Sequence, residues 1–366
     1  MSTDDFVTRL GAQLYEAALR EERRGSLGSR LAGLRYAMPR GAAVAAGAFA
    51  VVLVAAVIAL GGLDWGADER VTTPKVIRTF TIADNLGFMG TGFGSVWAVD
   101  NAQGQILRVN PRSGKVEARI PSGRDAVLNV GAGAVWVVEP TPGRPLRGRL
   151  ARIEPATGRV TSRVRLPVPA GGPRPPTDLQ IVGGVPWVVA PGAALRIDPE
   201  TGRPVQRIEV RESDGEPFPF ATAVGEDGLW VLTRDQRIVR YDLDSGRPAE
   251  ELPARLPGAV ALNPTPDGLL VATREGEIAL ADGDDGRLVW RKRIGTSVSA
   301  PPGAEGDTVL AHVSVSGRDR LVALDLATGE TRYTVALPEF GISGATNVGR
   351  QIWIAATNGK VMVIQR

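Results

Sequence analysis

The sequence predicts an all-β fold, a seven-bladed β-propeller, and three observations support this prediction. A turn phrase that starts with an acidic or amide residue and ends with glycine occurs six times, at spacings of 44, 44, 44, 40 and 43 residues. A valine-rich phrase that usually contains tryptophan precedes each turn by about a dozen residues. Glycine (45) and proline (27) make up nearly a fifth of the 366 residues, which favours many short strands over long helices.

The turn phrase is typical of a hairpin between the third and fourth strands of a blade. Its copies are NPRSG, EPATG, DPETG, DLDSG, DGDDG and DLATG, which begin at Asn110, Glu154, Asp198, Asp242, Asp282 and Asp325. The leading side chain can accept backbone N–H groups within the turn, and the final glycine can adopt a positive φ. Short strands with alternating polarity, such as LARI and RVTSRV around EPATG, flank each copy.

The tryptophan phrase marks the second strand of each blade. Its seven copies place these residues at the equivalent position: Trp97, Trp136, Trp187, Trp230, Leu270, Leu310 and Trp353. A regular strand position at which leucine replaces tryptophan predicts packing between blades rather than an aromatic cage for a ligand. An apolar segment before each phrase supplies a first strand, so each unit has four strands. The 292 residues of the repeat region give about 42 per unit, the length of a propeller blade.

The ends of the repeat region predict how the ring closes. The seventh unit ends with residues 361–366, after its third strand and before the turn and the fourth strand that the other units have. The segment Pro74–Ile82 aligns with the fourth strand of the first unit, Gly114–Ile120. We therefore expect this N-terminal strand to complete the last blade, which leaves no gap between the first and last blades. The propeller domain is predicted to span residues 74–366.

These repeats resemble the bacterial YVTN/NHL-like and quinoprotein (PQQ-like) propeller repeats. The resemblance rests on GAVWVVEP with LARIEPATGRV, on PWVVAPGAALRIDPETGRPV, and on the segments Ala281–Trp290 (ADGDDGRLVW) and Ala323–Tyr333 (ALDLATGETRY). More distantly, the chain is similar to the virginiamycin B (streptogramin) lyases, which are seven-bladed propellers. The resemblance covers about four-fifths of the chain and implies the architecture more than the activity, because propellers host unrelated functions.

The uncharged run at residues 41–63 predicts a transmembrane anchor upstream of the repeats. A helix of 23 residues would be about 34 Å long, enough to cross a hydrocarbon layer of ~30 Å. The 40 preceding residues and the length of the run argue against a cleavable signal peptide. Five arginines and no acidic residue occupy 23–40, so the N-terminus is predicted to be cytoplasmic. A linker at 64–73 then leads to an extracytoplasmic propeller attached to the cytoplasmic membrane.

Residues 1–40 form the predicted cytoplasmic segment, with a short amphipathic helix over residues 3–24. Phe6, Leu10 and Leu14 recur at helical spacing, and Thr3 can cap the first turn. This apolar stripe could bind a cytoplasmic partner, lie on the inner leaflet or have no specific partner.

Composition excludes several kinds of chemistry. The chain has no cysteine, which removes disulfides, cysteine nucleophiles and cysteine-bound metals, and His312 is its one histidine. His312 follows Leu310 in a second strand rather than at the ring axis, which favours a structural role over a catalytic one. The run Asp282–Asp285 resembles the first half of a calcium loop, but Arg293 stands where the bidentate Glu is needed. We therefore predict no catalytic residue, no resident metal and no cofactor. The net charge of +3 without a basic block argues against nucleic-acid binding.

The face opposite the Asp–Gly turns is the predicted binding face, because the innermost strands begin there around the axis. By pattern, the residues that line this funnel are Asn85, Asp125, Asp178, Phe220, Ser297 and Ser343. The loops at Pro140–Gly148 and Ser314–Asp319 would form its rim. Two interpretations stay open: these side chains bind a ligand, or they only solvate the mouth of the channel.

Together these features predict a monomeric, non-catalytic binding or scaffolding module, whose propeller face binds a protein or a small molecule. Two enzyme alternatives come from the resemblances. Similarity to the streptogramin lyases implies proton abstraction that depends on histidine and a metal, for which His312 is in the wrong strand position. Similarity to the quinoproteins implies a PQQ-dependent enzyme, but those are typically eight-bladed and many carry a vicinal cysteine pair.

Overall fold

A computed structural model describes residues 74–365, except 142–143, 168–177, 191, 211–220, 253–255, 299–300 and 338–340. These residues belong to the compact unit Glu69–Arg366. They contain no helix, and hence none long and apolar enough to cross a membrane. The predicted cytoplasmic segment, transmembrane anchor and linker lie outside the described residues.

The strands form seven antiparallel sheets, each of which is one blade of a propeller. Within blades 1 to 6 the strands follow chain order from the axis outward. Blade 1 contains β2 (Leu86–Gly92), β3 (Ser95–Asp100), β4 (Gln105–Val109) and β5 (Val116–Pro121). Blade 2 contains β6 (Val127–Gly131), β7 (Ala134–Thr141), β8 (Arg144–Ile153) and β9 (Val160–Arg165). Blade 3 contains β10 (Asp178–Val182), β11 (Val185–Ala190), β12 (Ala193–Ile197) and β13 (Pro204–Glu209).

The next three blades repeat this plan. Blade 4 contains β14 (Ala221–Val224), β15 (Leu229–Leu232), β16 (Ile238–Tyr241) and β17 (Pro248–Glu251). Blade 5 contains β18 (Ala259–Thr265), β19 (Gly268–Thr273), β20 (Glu277–Ala281) and β21 (Leu288–Arg293). In blade 6 the innermost strand is split into β22 (Ser297–Val298) and β23 (Gly303–Glu305), followed by β24 (Thr308–Val315), β25 (Arg318–Asp325) and β26 (Thr331–Ala336).

Blade 7 combines strands from both ends of the repeat region. It contains β27 (Ile342–Val348), β28 (Gln351–Ala356) and β29 (Lys360–Gln365), with β1 (Lys75–Thr81) at its outer edge. β1 pairs antiparallel with β29, from Lys75 opposite Gln365 to Thr81 opposite Lys360. The outermost strand of the last blade therefore precedes the first blade in the chain.

The core consists of seven apolar clusters, one between each pair of neighbouring blades. The tryptophans of the second strands lie in these clusters and are at most 3% exposed: Trp97, Trp136, Trp187, Trp230 and Trp353. Each packs towards the following blade, as Trp136 does against Leu179 and Leu195 of blade 3. The prediction that this position serves blade packing is confirmed.

The predicted Asp–Gly hairpins are also confirmed. In each of the six turns the glycine N–H donates to the carbonyl of the first residue, as Gly158 does to Glu154 at 2.8 Å. The glycines adopt a positive φ, which is +72° at Gly158, where most side chains would be strained. In the DGDDG copy, Asp282 Oδ1 accepts the N–H groups of Asp284 and Asp285 at 2.8 and 3.1 Å. This acidic run is thus an ordinary member of the turn series.

Candidate functional site

Two of the predicted funnel residues, Asn85 and Asp125, both form a hydrogen bond with Asn101, a residue that the sequence analysis missed. Asn101, in the loop after β3, donates its N–H to the carbonyl of Asn85 at 2.9 Å. Its Oδ1 accepts the N–H of Asp125 at 3.0 Å. Asn85 and Asp125 are exposed, and Asp125 has a φ of +56°. Asn101 therefore links blades 1 and 2 on the predicted binding face.

Asp178 begins β10 and is held by its own strand. Its carboxylate accepts the N–H of Leu179 at 2.8 Å and the side-chain amide of Gln180 at 2.7 Å. Burial raises the pKa of Asp178 above its ordinary value, and these two hydrogen bonds oppose that rise. The carboxylate thus orients Gln180, whose Oε1 accepts the N–H of Val224 in blade 4 at 2.6 Å.

Side-chain amides join the innermost strands of three pairs of neighbouring blades. Asn129 of β6 donates to the carbonyl of Leu179 in blade 3 at 2.9 Å. Asn263 of β18 donates to the carbonyl of Pro302 in blade 6 at 2.7 Å. Together with Gln180, these amides stand opposite the tryptophan position of their own blades. Neighbouring blades are not joined by backbone hydrogen bonds between strands, and these amides supply hydrogen bonds across the seams instead. Because the amides already bind the backbone of the next blade, they are not available to a ligand.

The remaining funnel residues do not gather with these. Ser297 lies in β22, opposite Ser314 of β24. Ser343 is the extra residue of a bulge in β27, between the pairs of Ile342 and Gly344. Phe220 lies outside the described residues. The predicted funnel residues that the structure describes therefore lie in several seams between blades and do not line one common pocket.

Ser343 lines a cleft of about 220 Å³ between blades 6 and 7, which we name the seam cleft. Its walls come from β23, β24 and β25 of blade 6 and from β27 of blade 7. The lining residues are Pro301, Gly303, Ala304, Glu305, Leu310, His312, Leu321 and residues 342–347. Most of these side chains are apolar, and Glu305 contributes the one carboxylate of the lining.

The sequence of blade 6 explains why the seam cleft exists. Pro301 and Pro302 have no N–H for a strand ladder, and they lie between β22 and β23. The pairs of β22 end at Val313 and those of β23 begin at Leu310, so His312 stands opposite the break. Blade 6 also has Leu310, which is only partly buried, where five blades have tryptophan. The break and the smaller side chain together leave space in this seam.

Three side chains of the seam cleft carry a solvent-shielded polar atom without a hydrogen-bond partner in the described structure. These atoms are His312 Nε2, Ser343 Oγ and Asn347 Oδ1. His312 Nε2 lies 3.6 Å from Asp319 Oδ2, which is beyond hydrogen-bonding distance. Burial lowers the pKa of His312 below its ordinary value of 6.5, and the Asp319 carboxylate opposes this shift. The imidazole is therefore neutral at physiological pH.

A larger and more acidic pocket, of about 530 Å³, lies on the face of the Asp–Gly turns between blades 3, 4 and 5. Its carboxylates come from hairpins and from one turn: Glu226, Asp227, Asp267, Asp282 and Asp284. In the part of the chain that the structure describes, no three His, Cys, Asp or Glu side chains form a group that could hold a metal ion. This pocket is an acidic surface made by ordinary turns.

Fold and repeats define the class: the chain is a seven-bladed propeller with PQQ-like repeats. Residues 274–366, about a quarter of the chain, match a family described as outer membrane protein assembly factor BamB. No curated protein sequence matches the chain.

Two solved structures share the fold. BamB from Moraxella catarrhalis aligns with a TM-score of 0.54 and 12% identity, over 80% of this chain and 100% of that one. The computationally designed Ika8 protein aligns with a TM-score of 0.56 and 13% identity, over 78% of this chain and 98% of that one. At these identities the likeness concerns the fold alone.

Proposed function

We propose that this protein is a membrane-anchored, monomeric, extracytoplasmic propeller that binds a protein partner and has no catalytic activity of its own. The observation that carries the proposal is the role of the side-chain amides on the innermost strands. Asn129, Gln180 and Asn263 bind the backbone of the next blade, so the polar groups nearest the axis stabilise a rigid ring. A rigid ring of this kind presents its loops as a fixed recognition surface.

Two further observations support the membrane location and the class of partner. The uncharged run 41–63, with arginines before it and acidic residues after it, supports an anchor whose C-terminal side is outside. The family that matches residues 274–366 is named for outer membrane protein assembly, which favours a protein over a small molecule as the ligand.

We also propose that β1 closes the ring. Its side chains reach the first blade as well as the last, because Arg78 donates to the carbonyls of Arg112 and Pro111 at 2.7 and 3.1 Å. Pro111 and Arg112 belong to the first Asp–Gly-type turn, in blade 1. A strand that pairs with β29 and binds blade 1 leaves the closing seam without an open edge.

A lyase-like enzyme remains the second candidate, and one observation favours it. His312 lies in the seam cleft with Asp319 nearby, and its lowered pKa keeps the imidazole neutral, as a general base must be. An enzyme would lose turnover on the change His312→Gln. The proposed scaffold would keep its partner after that change.

Crosslinking in native membranes, with the full-length chain as bait, tests the scaffold. The propeller has four lysines, Lys75, Lys115, Lys292 and Lys360, so a reagent that couples carboxylates samples more of its surface than an amine reagent. We expect a reproducible stoichiometric partner crosslinked to residues of the propeller. An intact, monomeric bait without such a partner overturns the proposal and shifts attention to small molecules.

Protease treatment of intact spheroplasts tests the topology. We expect trypsin to reach the chain beyond residue 70 without lysis, because that region is proposed to lie outside the membrane. Lysed spheroplasts serve as the control for digestion. Protection of the propeller until lysis would contradict the proposed orientation.

A further inference from the structure

Charge is divided unevenly around the ring. Blades 7, 1 and 2 are neighbours, and their residues, 75–166 and 342–366, include 17 basic and six acidic residues. Blades 3 to 6, with residues 167–341, contain 18 basic and 26 acidic residues. The net charge is therefore +11 in blades 7, 1 and 2 and −8 in the other four blades, although the whole chain carries +3. A charged surface will attract one side of this propeller and repel the other.

Exposed positive charge lies at the outer edge of blades 7, 1 and 2, on the face of the Asp–Gly turns. Four exposed basic residues lie in these turns, directly after them or at the start of β1, and none of the four forms an ion pair within the described residues: Lys75, Arg112, Lys115 and Arg159. We name this set the basic edge. The nearby Glu117 is 3.6 Å from Arg108, which offsets its charge. Glu154 is the other acidic residue at this edge, so an excess of positive charge remains exposed.

The basic edge lies where the chain enters the propeller. In blades 1 to 6 the third strand ends at the Asp–Gly turn, and β29 is the third strand of blade 7. Lys75 stands opposite Gln365 at the end of β29, so β1 begins on the same face. The predicted anchor ends at residue 63, and the ten residues of the linker span at most about 35 Å. An inserted anchor therefore keeps the basic edge close to the membrane surface.

We propose that the basic edge rests on the anionic phospholipid headgroups of the anchoring membrane, with blades 3 to 6 directed away from it. Each lysine or arginine near an anionic leaflet strengthens attachment about fivefold. Val76 and Ile77 follow Lys75 and are 47% and 51% exposed, so apolar side chains can enter the boundary between headgroups and acyl chains. The face opposite the Asp–Gly turns then stays accessible to the protein partner. This inference rests on the membrane anchor proposed above and adds the orientation of the propeller.

Fluorescence quenching in lipid nanodiscs tests this orientation with the full-length chain. The chain has no cysteine, so a single added cysteine can carry the fluorophore. Thr161→Cys places it on blade 2 and Ala249→Cys places it on blade 4. Both residues are exposed, and each is the extra residue of the bulge in the outermost strand of its blade. The discs contain a lipid with a spin-labelled headgroup, in phosphatidylcholine alone or mixed with phosphatidylglycerol.

We expect stronger quenching at residue 161 than at residue 249 in the discs that contain phosphatidylglycerol. The difference should shrink in phosphatidylcholine alone, and also in about 1 M salt, where the Debye length is about 3 Å. Equal quenching at the two positions, or a difference that depends neither on phosphatidylglycerol nor on salt, would overturn the proposal.

Two matched double variants test whether the basic edge itself is responsible. Lys115→Gln with Arg159→Gln removes two charges from the basic edge. Arg203→Gln with Arg247→Gln removes two charges from blades 3 and 4, and all four residues are exposed and directly follow a turn glycine. The first pair should weaken docking about fivefold for each charge removed and reduce the excess quenching at residue 161, whereas the second pair should leave it unchanged. The same effect of both pairs would contradict a specific role of the basic edge.

Co-elution of the chain with the nanodiscs separates this inference from the anchor on which it rests. A chain that does not co-elute overturns the anchor, and the orientation with it. A chain that co-elutes but shows no dependence on phosphatidylglycerol overturns the orientation alone. If, in addition, Lys115 crosslinks in native membranes to an acidic segment of a protein, the basic edge binds protein rather than lipid.

Discussion

Replacement of Phe80 by alanine would test whether β1 holds the ring closed. The Phe80 ring meets Trp353 edge-on, with centroids 5.3 Å apart and an interplanar angle of 77°. The Arg78 guanidinium lies 4.9 Å from the centre of the Phe80 ring and 5.4 Å from that of Trp353. Phe80 packs against the cluster between blades 7 and 1. Its side chain is thus central to the contact between β1 and the closing seam.

The expected cost follows from the burial of this ring. Truncation of a fully buried Phe to Ala costs about 3–5 kcal/mol, so a half-buried ring accounts for about 2 kcal/mol. Loss of the edge-on pair with Trp353 adds about 0.5–1.5 kcal/mol. We therefore expect Phe80→Ala to lower the free energy of unfolding by about 3 kcal/mol, a large share of the stability of an ordinary domain.

Guanidinium unfolding followed by tryptophan fluorescence measures this loss as a lower midpoint at an unchanged slope. Ile77→Ala is the matched control, because Ile77 lies on the same strand and its side chain is 51% exposed. That change should cost less than about 1 kcal/mol, as surface substitutions usually do. Equal midpoints for the two variants would refute the argument that β1 closes the ring through Phe80.

Three further predictions concern the closing strand, the channel and pH. Deletion of Pro74–Ile82 should lower the melting temperature by many degrees, because it leaves an unpaired edge at β29; an unchanged melting curve would exclude closure by β1. Asn263→Ala should cost about 1 kcal/mol in denaturant unfolding, since its 2.7 Å hydrogen bond to Pro302 joins blades 5 and 6; a cost near zero would mean that the bridge does not stabilise the ring. The folded pKa of His312 is below 6.5, so the unfolded chain binds this proton more tightly and stability falls as the pH drops below 6.5. Melting at about pH 7.5 and about pH 5.5 should show a larger fall for the wild type than for His312→Gln, and equal falls would contradict this sign. Burial raises the pKa of Glu139, so this carboxyl group makes the folded protein more stable as the pH drops, opposite to the effect of His312. Glu139 is present in both the wild type and His312→Gln, so its contribution cancels in the comparison.

The blade count, the hairpins and the tryptophan packing were predictable because each depends on residues that are close in the chain. The Gly158 N–H reaches the carbonyl of Glu154 four residues earlier, and the same spacing recurs in every copy of the phrase. The Trp136 phrase is a continuous apolar strand, and because successive side chains of a strand point to opposite faces, its indole lies on one of them. Repetition strengthens such local signals, because a pattern that recurs in seven units stays recognisable even where one unit deviates from it.

The candidate site was predictable only in part. Ser343 was named as a funnel residue, and the structure places it in the seam cleft rather than with the axial residues. His312 was interpreted as structural, because its second-strand position is away from the axis, but that strand faces a seam that Pro301 and Pro302 leave open. Asn101 was missed altogether, although an asparagine in a loop after the second strand is the signal that could have found it.

The sequence by itself therefore determined the architecture: the repeat length, the turns and the residue of each blade that packs against its neighbour. Only the tertiary structure decided which side chains meet across the seams, because those contacts join residues far apart in the chain, such as Asn129 and Leu179, separated by 50 positions. The seam cleft has the same origin. Leucine in place of tryptophan gives a fully buried side chain at Leu270, but a partly buried one that lines the seam cleft at Leu310, in the blade whose innermost strand is broken.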